Sequence, residues 1–186
     1  METLTKSLIW LIKHRKSHPK KDFDLETHLF FDDSFDRTTF GKETNKWVNQ
    51  YLRILQRLFV ENGEENVRNQ GRISETPYGE RMVFRAFGAD LTIHLKDSEK
   101  IKRGKRWSQV MYMNYLCNWK IGQEQMKDSN GRRADEKNSF ILALDGDVDF
   151  QPKDFDLVLS RMLKSSKIGA CCNQIQPNGT GPLVWF

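Results

Sequence analysis

Apolar residues recur along this chain at two alternating periods, one helical and one extended. Leu4, Leu8, Leu11 and Ile12 fall at helical spacing and predict an amphipathic helix over residues 3 to 16, stopped ahead of Pro19. The apolar run in "THLFFDD" predicts a short buried strand that ends in acid. Trp47, Val48, Tyr51, Leu52, Leu55, Leu58 and Phe59 predict a second helix, closed by "ENGEEN". Residues 61 to 79 are polar and carry Gly63, Gly71, Pro77 and Gly79, the composition of a surface loop. "RMVFRAF", then Gly88, then "DLTIHLK" predict a hairpin or two short strands. "RWSQVMYMNYLCNWK" predicts a third helix and "DSNGRRADEKN" a charged loop. A strand is expected at 139 to 145 and a helix from about Lys153 to Leu163 with Pro152 at its start, followed by the apolar run "IGACCNQI".

This alternation of strand and helix argues for an α/β layer with a largely parallel sheet, in which ligands sit at the carboxyl ends of the strands. With 186 residues, 38% of them hydrophobic and 30% charged, the chain has the size of one domain over 1–186 with one core. The net charge of +5 favours an anionic partner: nucleic acid, a membrane surface or a phosphorylated small molecule. The cysteines, Cys117, Cys171 and Cys172, are odd in number and lack metal-type spacing, which suits a reducing environment. The sequon Asn178-Gly179-Thr180 is too short to weigh. No apolar stretch reaches the roughly 20 residues that cross a bilayer, and the opening residues lack the marks of a secretory signal.

The chemistry gathers where the predicted strands end. "ILALDGDVDF" delivers Asp145, Asp147 and Asp149 to one spot, and carboxylates that close repel unless a cation lies between them. A hard divalent ion takes one or two protein carboxylates and completes its shell with water and phosphate oxygens, which makes Mn2+ or Mg2+ the matching cofactor. A solvated acidic turn is the plain alternative. Asp32 and Asp33 end a second strand, where a helix N-cap at Asp33 or Ser34 is an equally adequate reading. Lys100, Lys102, Arg103, Lys105 and Arg106 crowd the start of the third helix, against its dipole, a conflict that a bound anion relieves and that a solvated basic loop tolerates. The spacing around Gly104-Lys105 is not that of a phosphate-cradling P-loop.

Asp32-Asp33, Gly104-Lys105-Arg106 and Asp145-Gly146-Asp147, in this order, resemble the three donor-site motifs of the family 2 glycosyltransferases. Longer strings narrow the likeness: "ETHLFFDDSF", "TPYGERMVF", "HLKDSEKIKRGKRWSQVMYMNYL", "LALDGDVDFQP" and "IGACCNQIQPNGTGPLVWF" look like stretches of the animal chitin synthases. The likeness runs from about Phe23 to the last residue and is weak over 60 to 75 and 120 to 137. It implies an incomplete GT-A-like (Rossmann-like) nucleotide-sugar-binding domain. The implied reaction is inverting transfer of N-acetylglucosamine from UDP-N-acetylglucosamine to the 4-hydroxyl of a growing chitin chain.

By that resemblance Asp32 or Asp33 accepts from the uracil imide, Lys105 and Arg106 face the diphosphate, and Asp145 and Asp147 hold the metal, with Asp145 also beside the donor. Asp149 is given a supporting or structural place. The family's E-D-R motif, which supplies the catalytic base, and its Q-x-x-R-W motif do not occur in these 186 residues. The strand expected ahead of the first helix is also missing, and Cys172-Asn173 stand where a glycine-arginine pair is expected. The resemblance therefore implies the donor half of a longer, multi-pass enzyme at the cytosolic face of the plasma membrane, inactive by itself and compatible with a homo-oligomer. A hyaluronan or cellulose synthase-like enzyme and a non-catalytic nucleotide-sugar-binding domain are the alternatives. Nucleic acid is not expected as a partner, because the carboxylate clusters oppose a polyanion.

Overall fold

The computed structural model describes residues 2–17, 25–64, 71–116 and 139–172. In chain order its elements are α1 (Glu2–Ser17), β1 (Glu26–Phe31), β2 (Phe35–Thr38), β3 (Gly41–Thr44), α2 (Lys46–Glu61), β4 (Arg72–Thr76), β5 (Gly79–Ala86), β6 (Ala89–Lys96), α3 (Lys105–Asn114) and α4 (Pro152–Leu163). The first two helices, the strand before Asp32, the hairpin around Gly88, the third helix up to Asn114 and the Pro152 helix stand where the hydrophobic pattern places them. The charged loop over 128–138, the residues from Cys117 to Lys120 and those from Asn173 onward lie outside the described residues.

Four strands form one sheet in the order β1-β6-β5-β4. The sheet is mixed, which corrects the largely parallel one expected. Only β1 and β6 run parallel, from Glu26 opposite Asp90 to Phe31 opposite Leu95, while β4, β5 and β6 form an antiparallel meander. The reason is connection length. Strands joined by two residues can only fold back on each other, whereas a parallel pair needs a long crossover, and the chain between β1 and β6 supplies one. The Phe87-Gly88 turn has φ values of 52° and 77°, the two left-handed residues that a tight hairpin turn demands. β4 itself falls in the stretch expected as loop.

The alternating faces of β5 and β6 divide the molecule. Met82, Phe84, Ala86, Leu91, Ile93 and Leu95 turn to the helices and close a core with Ile9 of α1 and Val48, Tyr51, Leu55, Leu58 and Phe59 of α2. The β6 residues between them, Thr92, His94 and Lys96, are also buried, on the opposite face. β2 and β3 make a separate hairpin that no hydrophobic period announces. It displaces the start of α2, so neither Asp33 nor Ser34 caps a helix. Asn45 does, its side-chain oxygen accepting from the N–H groups of Trp47 and Val48 at 3.0 Å each.

The strand expected at 139 to 145 does not form. Phe140, Ile141, Leu142 and Leu144 are exposed, and among the described residues no strand lies along them. An extended segment becomes a strand only when a neighbour takes its backbone groups, and sequence period alone cannot provide that. By compactness the chain divides into Met1–Asp149 and Phe150–Phe186. In the second unit α4 begins with Pro152 and a reciprocal cap between Gln151 and Asp154, and Cys171 and Cys172 are free thiols. No helix among the described residues is long and apolar enough to cross a membrane.

Gly79 joins the meander to the far end of β6. Its φ is +145°, and a Cβ there would lie 2.1 Å from the Leu95 carbonyl oxygen and 2.9 Å from the Asp97 nitrogen, both backbone atoms with no freedom to retreat. Gly79→Ala should therefore cost on the order of 3 kcal/mol or more, combining backbone strain with displacement of β6. Urea unfolding measures it, and a loss below about 1 kcal/mol would contradict the contact.

Candidate functional site

The parallel register of β1 and β6 puts their next residues, Asp32 and Lys96, side by side at the carboxyl edge of the sheet. Lys96 is fully buried, with its stem on the α3 side of the sheet, and its ammonium forms an ion pair with Asp32 Oδ1. Lys96 Nζ also donates to Ser108 Oγ at 2.9 Å, and that hydroxyl donates to Asp32 Oδ1 at 3.2 Å. The backbone N–H of Gly104 donates to Asp32 Oδ2 at 2.7 Å. Burial acts to raise the Asp32 pKa. The hydrogen bonds from Lys96, Gly104 and Ser108 and the charge of Lys96 outweigh it and hold the carboxyl below its ordinary value.

Asp33, the next residue, pairs with Arg103 at 3.1 Å, while its carbonyl oxygen accepts from Asn45 Nδ2 at 2.6 Å. The two acids thus grip the loop between β6 and α3 at Arg103 and Gly104. That loop ends in a helix start with no side-chain cap, at a glycine with φ of 122°. The Gly104 N–H is used by Asp32, and the first-turn N–H groups of Lys105, Arg106 and Trp107 lack a helical acceptor, as at any helix start. They point their partial positive charge where Lys105 and Arg106 add full ones. The side chains of Lys100, Lys102 and Arg106 have no carboxylate partner among the described residues.

Lys105 reaches Asp145 at 2.6 Å, with both side chains exposed. The structure therefore joins the Asp145 end of the D-x-D stretch to the basic helix start, one step from Asp32 and Lys96. Asp149 turns elsewhere and accepts from Ser7 Oγ of α1 at 2.8 Å. Asp147 is exposed and is not brought into contact with the others. Among the described residues no group of three or more histidine, cysteine, aspartate or glutamate side chains is poised to hold a metal.

Sequence reading passed over two members of this site. Lys96 closes the alternating strand "DLTIHLK" on its polar face, in line with Thr92 and His94, and that alternation reads as a solvated face and gives no sign that the lysine is buried. Ser108 gave none, since its role depends on which turn of α3 meets the sheet. Deeper on the same face, Tyr78 OH hydrogen-bonds His94 Nδ1, and His94 Nε2 lies 3.0 Å from His28 Nδ1. Phe30 stacks on His94 with ring centroids 4.2 Å apart. Burial first, then neighbouring charge, lowers His94 to about 3 and His28 to about 4, so both imidazoles are neutral at pH 7.

The chain is 37% identical over 167 residues to chitin synthase chs-2 of Caenorhabditis elegans, a match that covers 88% of this chain and 10% of the relative. Chitin synthase chs-1 of the same organism is 36% identical, over 88% of this chain and 13% of its own length. A chitin synthase of Meloidogyne artiellia is also 36% identical, over 87% of this chain and 9% of its own length. The chain thus spans about a tenth of the length of the curated relatives it matches. No protein-family model matches it, and no solved structure does. Along nearly its whole length, from the acids after β1 to the D-x-D stretch, the chain belongs with the chitin synthases.

Proposed function

We propose that the chain is the donor-binding part of a chitin synthase, with a GT-A-like arrangement that receives UDP-N-acetylglucosamine at the carboxyl edge of the sheet. The observation that carries this reading is the Lys105–Asp145 ion pair, which ties the D-x-D stretch to the uncapped, basic start of α3 beside the Asp32–Lys96 pair. In this reading Asp32 or Asp33 accepts from the uracil imide. Lys105, Arg106 and the free first-turn N–H groups take the diphosphate, whose charge would compete with Asp145 for Lys105.

The D-x-D pair fits Mn2+ or Mg2+ by its chemistry: two exposed carboxylates one residue apart offer hard oxygen donors and leave the remaining positions for water and phosphate. Asp147 with Asp145 would hold the ion, which neutralises charge on the departing diphosphate when bound. Asp145 leaves Lys105 for that role, while Lys105 turns to phosphate. Transfer to a growing chitin chain, with inversion, needs a carboxylate to take the acceptor proton, and in this reading that base comes from outside these 186 residues. The chain alone transfers no sugar. The whole enzyme works at the cytosolic face of the plasma membrane, held by segments other than these, and its assembly into homo-oligomers is compatible with the same reading.

Calorimetry of the chain with UDP tests the site. Affinity should rise with Mn2+ and fall with chelator. Asp147→Asn, which keeps the shape and removes the charge, should weaken the metal-dependent binding at least tenfold, about 1.4 kcal/mol. Equal affinity with manganese and with chelator returns the D-x-D stretch to a solvated turn.

A further inference from the structure

Between the acids after β1 and the loop before α3 stands an element that the donor-site reading leaves idle, the β2–β3 hairpin. It sends two cations to one carboxylate. Arg37 Nη2 donates to Asp97 Oδ1 at 2.7 Å, and Lys42 Nζ lies 3.7 Å from Asp97 Oδ2. Asp97 is the first residue after β6 and is buried, at 2% exposure. The loop hangs from it. Its side chain accepts the Glu99 N–H at 3.1 Å, its carbonyl oxygen accepts from the N–H groups of Lys100 and Ile101, and its own N–H donates to the Tyr78 carbonyl oxygen.

Arg37 also pairs with Glu99 at 2.8 Å, and Lys42 pairs with Glu80 at 2.7 Å while lying over the Phe35 ring at 4.0 Å. The loop from Asp97 to Gly104 is therefore fixed at both ends by carboxylates. Asp97 is held by the hairpin and Asp32 by Lys96. Between these ends Lys100, Lys102 and Arg103 repel one another, and with Lys105 and Arg106 they would splay the loop if either anchor were loose.

We infer that Arg37, with Lys42, is a positioning residue: through Asp97 the β2–β3 hairpin straps down the loop that aims the α3 start at phosphate. The inference rests on the donor-site reading and deepens it, by assigning the diphosphate half of recognition to a second element that touches no part of the ligand. The uracil half, at Asp32 and Asp33, also touches this loop at Gly104 and Arg103, but it has anchors of its own in Lys96 and Asn45 that do not pass through Asp97, so loss of the strap should weigh less on it.

The test compares UDP with uridine on the 186-residue chain, in the presence of diamagnetic Mg2+, by NMR titration. Arg37→Gln should weaken UDP at least fivefold, leave uridine within twofold, and shrink the UDP-induced shifts of the Lys105 and Arg106 amides. Arg37→Lys should restore most of the loss. Glutamine keeps a donor within reach of Asp97, whose side chain is only 3% exposed, and Lys42 stays beside it, so the variant should still fold with some loss of stability, which urea unfolding reads separately from binding. An Arg37→Gln, Lys42→Met double variant gives a second, larger reading of the same ratio. Equal losses for UDP and uridine, or no loss, overturn the strap while the donor site stands. Failure of the unsubstituted chain to bind UDP overturns the donor-site reading and this inference with it.

Discussion

Asp32→Ala is expected to lower the unfolding free energy by about 2 to 3 kcal/mol, because it strands the fully buried ammonium of Lys96. Breaking a wholly buried pair costs about 3 to 5 kcal/mol, and the lower figure here reflects the 41% exposure of the Asp32 side chain. The alanine also releases the Gly104 N–H and the Ser108 hydroxyl from their acceptor. Lys96→Met removes the other partner and should cost less than about 1 kcal/mol, since an apolar stem of similar length refills the site and Asp32 keeps two donors. The double variant Asp32→Ala, Lys96→Met should recover much of the single loss. Urea unfolding of the four proteins gives the coupling, and additivity of the two single effects would show that the pair does no anchoring.

Acid should unfold the chain well above the ordinary carboxylate range. His28 and His94 have folded values of about 4 and about 3 against an ordinary 6.5, so the unfolded chain takes up protons first as the pH falls. Their contribution is fully present above about pH 6.5 and is lost progressively toward pH 4 and below. The two contributions act in the same direction, so acid removes a substantial part of a stability that is typically only about 5 to 15 kcal/mol for a domain. Asp32 and Asp97 act in the same direction further down, with stability present above about pH 4 and lost as pH falls through their lowered values. The groups facing the imidazoles are Tyr78, Arg81, Tyr115 and Glu26. Thermal melts from pH 8 to pH 4 should show the decline, and a His28→Asn, His94→Gln variant should show a much flatter one. A pH-independent melting temperature between 6.5 and 4.5 in the unsubstituted chain would refute the buried neutral pair.

The sequence and the structure agree wherever an element is settled by its own residues. The apolar stripe of α2, the Phe87-Gly88 turn and Pro152 at the start of α4 each carry their signal locally. They part where a distant partner decides. The strand that "FILAL" resembles would need a neighbour to take its hydrogen bonds, and the parallel sheet read from alternation became a meander once two-residue turns fixed the pairing. The site divides along the same line. Asp32, Asp33, Lys105 and Asp145 were visible as charges at the ends of elements. Lys96, Ser108 and the Asp97 anchor are visible only when the register of β1 on β6 brings residues 64 apart into one hydrogen-bonded group. Asp147 is legible as half of a motif, and no contact among the described residues explains its place.

That register also sets an order of events during folding. The meander of β4, β5 and β6 closes through turns of two residues, a local process on the microsecond scale, whereas β1 must wait for a partner emerging some sixty residues later and close the whole intervening loop. Until it does, β6 has one bare edge and Lys96 has no counterion. The Asp32–Lys96 contact is thus expected among the last to form, with the site assembled at the end of folding, when the most distant pairing in the sheet is made.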